Sequence, residues 1–189
     1  MTILKQITLC LALLLLPGRY NLESGGAPGG ESAAAAALQG LISNTETLVT
    51  GAAREMPAER YDFAPAAGEF RGVRTFAKQL KHASAVQYLV AVSILGEPVT
   101  AEMSDERGPD SVRSKEDVVK YLEGSFAALH RAAATVDEMN AFAPIKGVFG
   151  SAPATRAGLI AGALAHSSNH YGQIVEYLRM NGIVPPASR

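Results

Sequence analysis

The sequence predicts an all-α protein, a four-helix bundle. Four long stretches place apolar residues at helical intervals, and each is bounded by capping or helix-breaking residues. No segment shows the two-residue alternation of a strand, and no internal repeat divides the chain. At 189 residues, 48% of them apolar, the chain has material for one core plus an extension.

The extension comes first. Lys5 precedes a short apolar run, Ile7–Leu16, which Pro17 and Gly18 end. Such a run is too short to span a bilayer but suits the core of an export signal; a misassigned start codon or an uncleaved anchor is the alternative. Residues 19–31, RYNLESGGAPGGE, read as a Gly/Ser/Pro linker. The predicted division is therefore signal peptide and linker over 1–31 and a helical domain over 32–189. The predicted location is exported, periplasmic or secreted, with no stable membrane insertion after cleavage. Cys10, the only cysteine, lies inside the apolar run. The mature chain would then hold neither disulfide nor thiolate, and any metal would be bound by nitrogen and oxygen.

Charge narrows the partners. The chain has 17 Lys+Arg and 18 Asp+Glu, and 15 against 17 once residues 1–30 are set aside. No basic stripe or aromatic–basic cluster is present, which argues against a nucleic-acid surface.

The first helix is predicted over Ser32–Glu55, capped by Ser32, with Leu38, Leu41, Ile42, Leu48 and Val49 at helical spacing. Pro57, Pro65 and Gly68 oppose helix over 56–70, where Tyr61, Phe63 and Phe70 call for burial in a packed loop crossing one end of the bundle. The second helix is predicted over Val73–Leu95. Phe76, Leu80, Ala83, Val86 and Val90 form its stripe, His82 borders it, and Gly96 and Pro98 follow its end. Residues 97–113 read as a solvated loop. Ser114–Asn140 is the third helix, opened by Ser114 and Asp117 in near capping-box spacing. Residues 140–153 form a second apolar loop. Ala154–Asn181, after Pro153, is the fourth helix.

The chemistry concentrates in Ala165–Met180, AHSSNHYGQIVEYLRM. His166 and His170 lie four apart, so both imidazoles share one helix face, one turn from each other. A zinc-type ion needs at least three protein ligands. The only other histidines are His82, beside the second-helix core stripe, and His130, beside Leu129. Residue 167 is serine, so this is no HEXXH motif.

Two longer stretches carry a resemblance: EMPAERYDFAPAAGEFRGVRTFAKQLKHASAVQY and HSSNHYGQIVEYLRMNGIVPP. They resemble the DinB family of YfiT-like metalloenzymes over about residues 33–187. The resemblance implies a four-helix bundle in up-down-down-up order and a frequent homodimer. It also implies a divalent metal held by one histidine of the second helix and two of the fourth, here His82, His166 and His170. His130 fits no part of that pattern.

Three neutral imidazoles would bind Zn²⁺, Ni²⁺, Fe²⁺ or Mn²⁺ and leave positions open for water or substrate. They add no negative charge, so zinc would bring a bound water to a pKa of about 7. Ser84, Gln87, Ser167, Ser168, Asn169 and Gln173 are the candidates to accept from the ligands' outer N–H groups. No carboxylate shares their face within a turn, which leaves a general base unassigned. The leading reading is a metal-dependent hydrolase or transferase of an unknown small-molecule substrate. A non-catalytic metal-binding bundle ranks second. A thiol-dependent S-transferase ranks third, because export would separate it from cytosolic thiol cofactors.

Overall fold

Each long helix begins where a hydroxyl side chain accepts a hydrogen bond from the backbone N–H three residues on. In the computed structural model, which describes residues 30–148 and 153–189, these caps are Ser32, Thr75, Ser114 and Thr155. They open α1 (Ala33–Glu55), α2 (Phe76–Leu95), α4 (Lys115–Ala134) and α5 (Arg156–Met180), with a short α3 (Ala101–Ser104) between α2 and α4. Each cap contributes about 1 kcal/mol. At Ser114 the capping box is complete, Asp117 accepting in return from the Ser114 N–H. The predicted export segment lies outside the described residues. No described helix is long and apolar enough to cross a membrane.

Two helix boundaries differ from the sequence reading by three residues or more, and the fourth helix begins at Arg156 rather than Ala154. The second helix starts at Phe76 rather than Val73, because Gly72 turns with φ 78° and Thr75 supplies the cap. The third ends at Ala134 rather than Asn140, because the Asp137 carboxylate accepts the N–H groups of Met139 and Asn140 and closes a local turn. A two-residue antiparallel pairing, β1 (Pro144–Ile145) with β2 (Ala154–Thr155), is also present. Strands that short carry no alternation a sequence could reveal.

Side-chain bonds between helices fix their directions. Ser32 Oγ donates to Val136 O near one end of α1, and Lys115 Nζ donates to Arg54 O and Met56 O at the other, so α1 and α4 are antiparallel. Gln87 bonds Ser125, and Glu97 lies 3.9 Å from Arg131 further along, so α2 and α4 are parallel. Gln79 bonds Gln173 and Gln87 bonds Ser167, so α2 and α5 are antiparallel. Since α1 and α2 each pack on both α4 and α5, the bundle has the up-down-down-up order.

That order governs the connections. Helices α2 and α4 run parallel as neighbours, so the chain between them must travel back along about 30 Å of helix. It leaves through Gly96 (φ 71°) and is not the free solvated loop the sequence suggested. Met103 and Val112 pack on the core, and Lys81 Nζ donates to Pro109 O at 2.7 Å. Gly108 (φ 70°) passes where an added Cβ would come within 3.2 Å of Tyr121 and 3.3 Å of Lys81. Only glycine accepts both that φ and that approach.

The core between the four helices is built on Phe76, Leu80, Leu122, Phe126, Leu129, Ile160, Ile174 and Leu178, all fully buried. Burying each such side chain is worth about 1.5–3 kcal/mol. The loop before α2 closes one end: Tyr61 donates to Ala53 O at 2.6 Å and meets Phe76 edge-on, while Phe63 meets Tyr177. Phe70 does not join them and stays 44% exposed. The backbone docks through Phe76 N–H to Phe63 O and Ala77 N–H to Tyr61 O, so residues 61–63 are held down while the stretch carrying Phe70 loops outward.

Candidate metal centre

Helix α5 presents His166 and His170 one turn apart on the side that meets α2, and α2 presents His82 opposite them. The Nε2 atoms converge: His166 Nε2 lies 3.1 Å from His82 Nε2 and 3.1 Å from His170 Nε2. The three ring centroids are 4.4, 4.8 and 4.9 Å apart, each pair edge to face. His82 and His170 are buried and His166 is half-buried. Nitrogens about 2.0–2.1 Å from a common zinc-type ion stand roughly 3.0–3.4 Å apart, which is the spacing of both pairs that include His166, and one ligand atom of each ring lies within 4.8 Å of the others.

The outer nitrogens set the tautomers. His82 Nδ1 lies 2.8 Å from Glu106 O, a carbonyl that only accepts, so Nδ1 carries the proton. His170 Nδ1 lies 2.7 Å from Gln79 Oε1, while the Gln79 amide nitrogen donates to Gln173 Oε1. That orientation makes Gln79 the acceptor and puts the proton of His170 on Nδ1. In their neutral forms both rings therefore turn bare Nε2 lone pairs toward His166 Nε2. A proton on His166 Nε2 serves only one of these lone pairs at a time, whereas a cation between the three rings matches all of them. His166 differs, because its Nδ1 is buried without a hydrogen-bond partner.

Burial favours the neutral rings of His166 and His170. It pushes the His170 imidazole down to about 4, with the His166 and His82 rings adding to the effect. Burial also lowers His166, then His82 lowers it further, while Glu106 pulls the other way. Neutral imidazole is the form that binds metal. Among the described His, Cys, Asp and Glu side chains, the group that could hold an ion is His82, His166 and His170.

His130 is elsewhere. Its ring meets Gln39 on Nδ1 and Glu46 at 3.1 Å on Nε2, both from α1. It ties α1 to α4 and takes no part in the cluster.

The sequence of the helical domain matches the profile of the DinB superfamily over residues 41–174. The chain belongs to the DinB superfamily. Two solved structures show the same DinB fold. A DinB-like protein from Bacillus subtilis has a TM-score of 0.57 at 16% identity, covering 77% of this chain and 92% of that one. A DinB-like protein from Bacillus cereus has a TM-score of 0.59 at 15% identity, covering 78% and 95%. None of the curated proteins matches.

Two residues of this DinB bundle's site escaped the sequence reading. Gln79 is one turn before His82 on α2, an i, i−3 position that could have flagged it. Glu106 had no such signal, since it arrives on the α2–α4 crossover. It adopts φ 58°, in the left-handed region, with its carbonyl on His82 and its carboxylate 3.8 Å from His82 Nδ1. A non-glycine residue held there points to a local demand on the backbone.

Of the six expected acceptors, none meets a ligand directly. Ser84 and Ser168 bond back to their own helices, at Leu80 O and Leu164 O. Gln87 and Ser167 join Ser125 in a separate buried network that links α2, α4 and α5. Asn169 accepts from Gln173, which in turn reaches His170 only through Gln79. Tyr177 packs and donates to Arg74 O.

Beside His166 opens a cavity of about 410 Å³, and Glu106 is among the residues that line it. A larger depression of about 750 Å³ lies between α2 and α4 near Tyr88 and Lys120, away from the imidazoles.

Proposed function

We propose that this DinB protein is a metal-dependent hydrolase or transferase acting on a small molecule. His82, His166 and His170 would hold one divalent ion, Zn²⁺, Ni²⁺, Fe²⁺ or Mn²⁺, through Nε2. When bound, such an ion supplies Lewis acidity and brings a water pKa toward about 7. The observation that carries this reading is the convergence of three Nε2 atoms, two with their outer protons fixed, beside an open cavity rather than inside a closed shell. A purely structural site would be expected to present a fourth protein donor; three imidazoles favour an open one.

The chain's own groups have separable tasks. Gln79 and the Glu106 carbonyl hold His170 and His82 in the required tautomers. The carboxylate of Glu106, a residue that lines the cavity together with His166, would accept a proton from the attacking water or hydroxyl and pass it to the leaving group. Export, supported by the apolar run Ile7–Leu16, places this chemistry outside the cytoplasm, and a reporter fused after residue 35 tests it.

The activity is tested with p-nitrophenyl acetate as probe. Zinc-loaded protein should hydrolyse it faster than metal-stripped protein, and Glu106→Gln should keep the metal while losing about 10²–10⁴-fold in rate. Equal rates for loaded and stripped protein would count against the hydrolytic reading.

A further inference from the structure

The cavity beside His166 has a chemical character of its own. Val86 and Val90 from α2 face Leu159 and Ala163 from α5 across it, so its length is aliphatic. Polarity is confined to the end where Glu106 and His166 stand. Its volume of about 410 Å³ falls in the range of small-molecule sites. One position keeps it open. Among the described residues, a Cβ added at Gly162 would meet nothing within 4 Å, so the missing side chain leaves space that no described neighbour fills. Gly158 is different, since a Cβ there would come within 2.8 Å of the capping hydroxyl of Thr155 and its smallness serves the cap.

We propose that this slot binds the aliphatic segment of the substrate, a neutral small molecule whose oxygen-bearing end reaches His166 and Glu106. The inference rests on the metal-dependent reading above and adds the substrate class. Apolar walls leading to a polar end select a molecule with a hydrocarbon tail and a reactive head, and disfavour sugars, nucleotides and polar peptides, whose hydroxyls and charges would be desolvated without partners. The slot adjoins the imidazole cluster through His166, so tail and head are placed by one continuous surface.

The test uses straight-chain hydroxamates, acetyl to octanoyl, titrated calorimetrically into the zinc-loaded full chain. Affinity should rise about three- to fourfold per added methylene until the slot is full. Gly162→Leu fills the slot from a position where the new side chain meets open space, and leucine is the better helix former, so the variant should fold. It should keep its zinc and its acetohydroxamate affinity while losing the dependence on chain length. As a metal-independent arm, 1-hexanol added to metal-free protein should shift the methyl resonances of Val86, Val90 and Leu159, and these shifts should vanish in Gly162→Leu. Affinity independent of chain length, or unchanged by Gly162→Leu, would overturn the slot. Loss of zinc and of acetohydroxamate binding in the unaltered protein would instead overturn the metal reading, and the hexanol arm would still judge the slot.

Discussion

Replacing Gln79 by leucine should weaken metal binding although Gln79 is no ligand. Gln79 is 2% exposed and accepts from His170 Nδ1 at 2.7 Å. Leucine has similar bulk and no acceptor, so packing is kept while His170 loses its partner. In the metal-free protein the ring can respond by moving its proton to Nε2. With a metal on Nε2 that escape is closed, and Nδ1–H stays buried and unpaired, at about 1–3 kcal/mol. The penalty thus falls mainly on the loaded state. It corresponds to a loss of about 10–100-fold in affinity, the range found when such supporting partners are removed. Competition against a chromophoric zinc chelator measures it. Gln79→Glu, which keeps an acceptor, should retain affinity within about tenfold. Affinity of Gln79→Leu within twofold of the unaltered protein would refute the reasoning, because His170 would then not depend on Gln79 for its tautomer.

Other consequences follow from burial and charge. Burial holds the folded His170 pKa at about 4, below the unfolded value of about 6.5. The unfolded chain therefore takes up this proton first, and metal-free protein should lose stability as pH falls from about 6.5 to 4, with little further loss from this group below. Urea titrations across that range check it, and His170→Gln should flatten the slope. Phe126→Ala, at a fully buried position of α4, should cost about 3–5 kcal/mol in the same assay; a cost under 1 kcal/mol would mean that the core is not centred there.

The residues differ in how far their roles could be read before folding. His166 and His170 declare themselves through a four-residue spacing, and His82 through its place beside an apolar stripe. Caps such as Ser32 and Ser114 are equally local, which is why those helix starts agree. The third helix's early end depends on Asp137 bonding forward to Met139 and Asn140, a competition that apolar spacing does not reveal. Glu106 was illegible for a different reason. Its position over His82 follows from the parallel α2–α4 arrangement and from Lys81 gripping Pro109, both products of the assembled bundle. The acceptors were misassigned because helical proximity alone favoured Ser167 and Gln173 and passed over Gln79. Only the structure shows that Ser167 turns into the Gln87 network instead.

The central claim is that His82, His166 and His170 grip one ion together. Elemental analysis of the purified protein and its single alanine variants tests it most directly. The account predicts about one divalent ion per chain, near-complete loss in His82→Ala, His166→Ala and His170→Ala, and unchanged content in His130→Ala. Full metal content in His82→Ala, or an equal loss in His130→Ala, would contradict it.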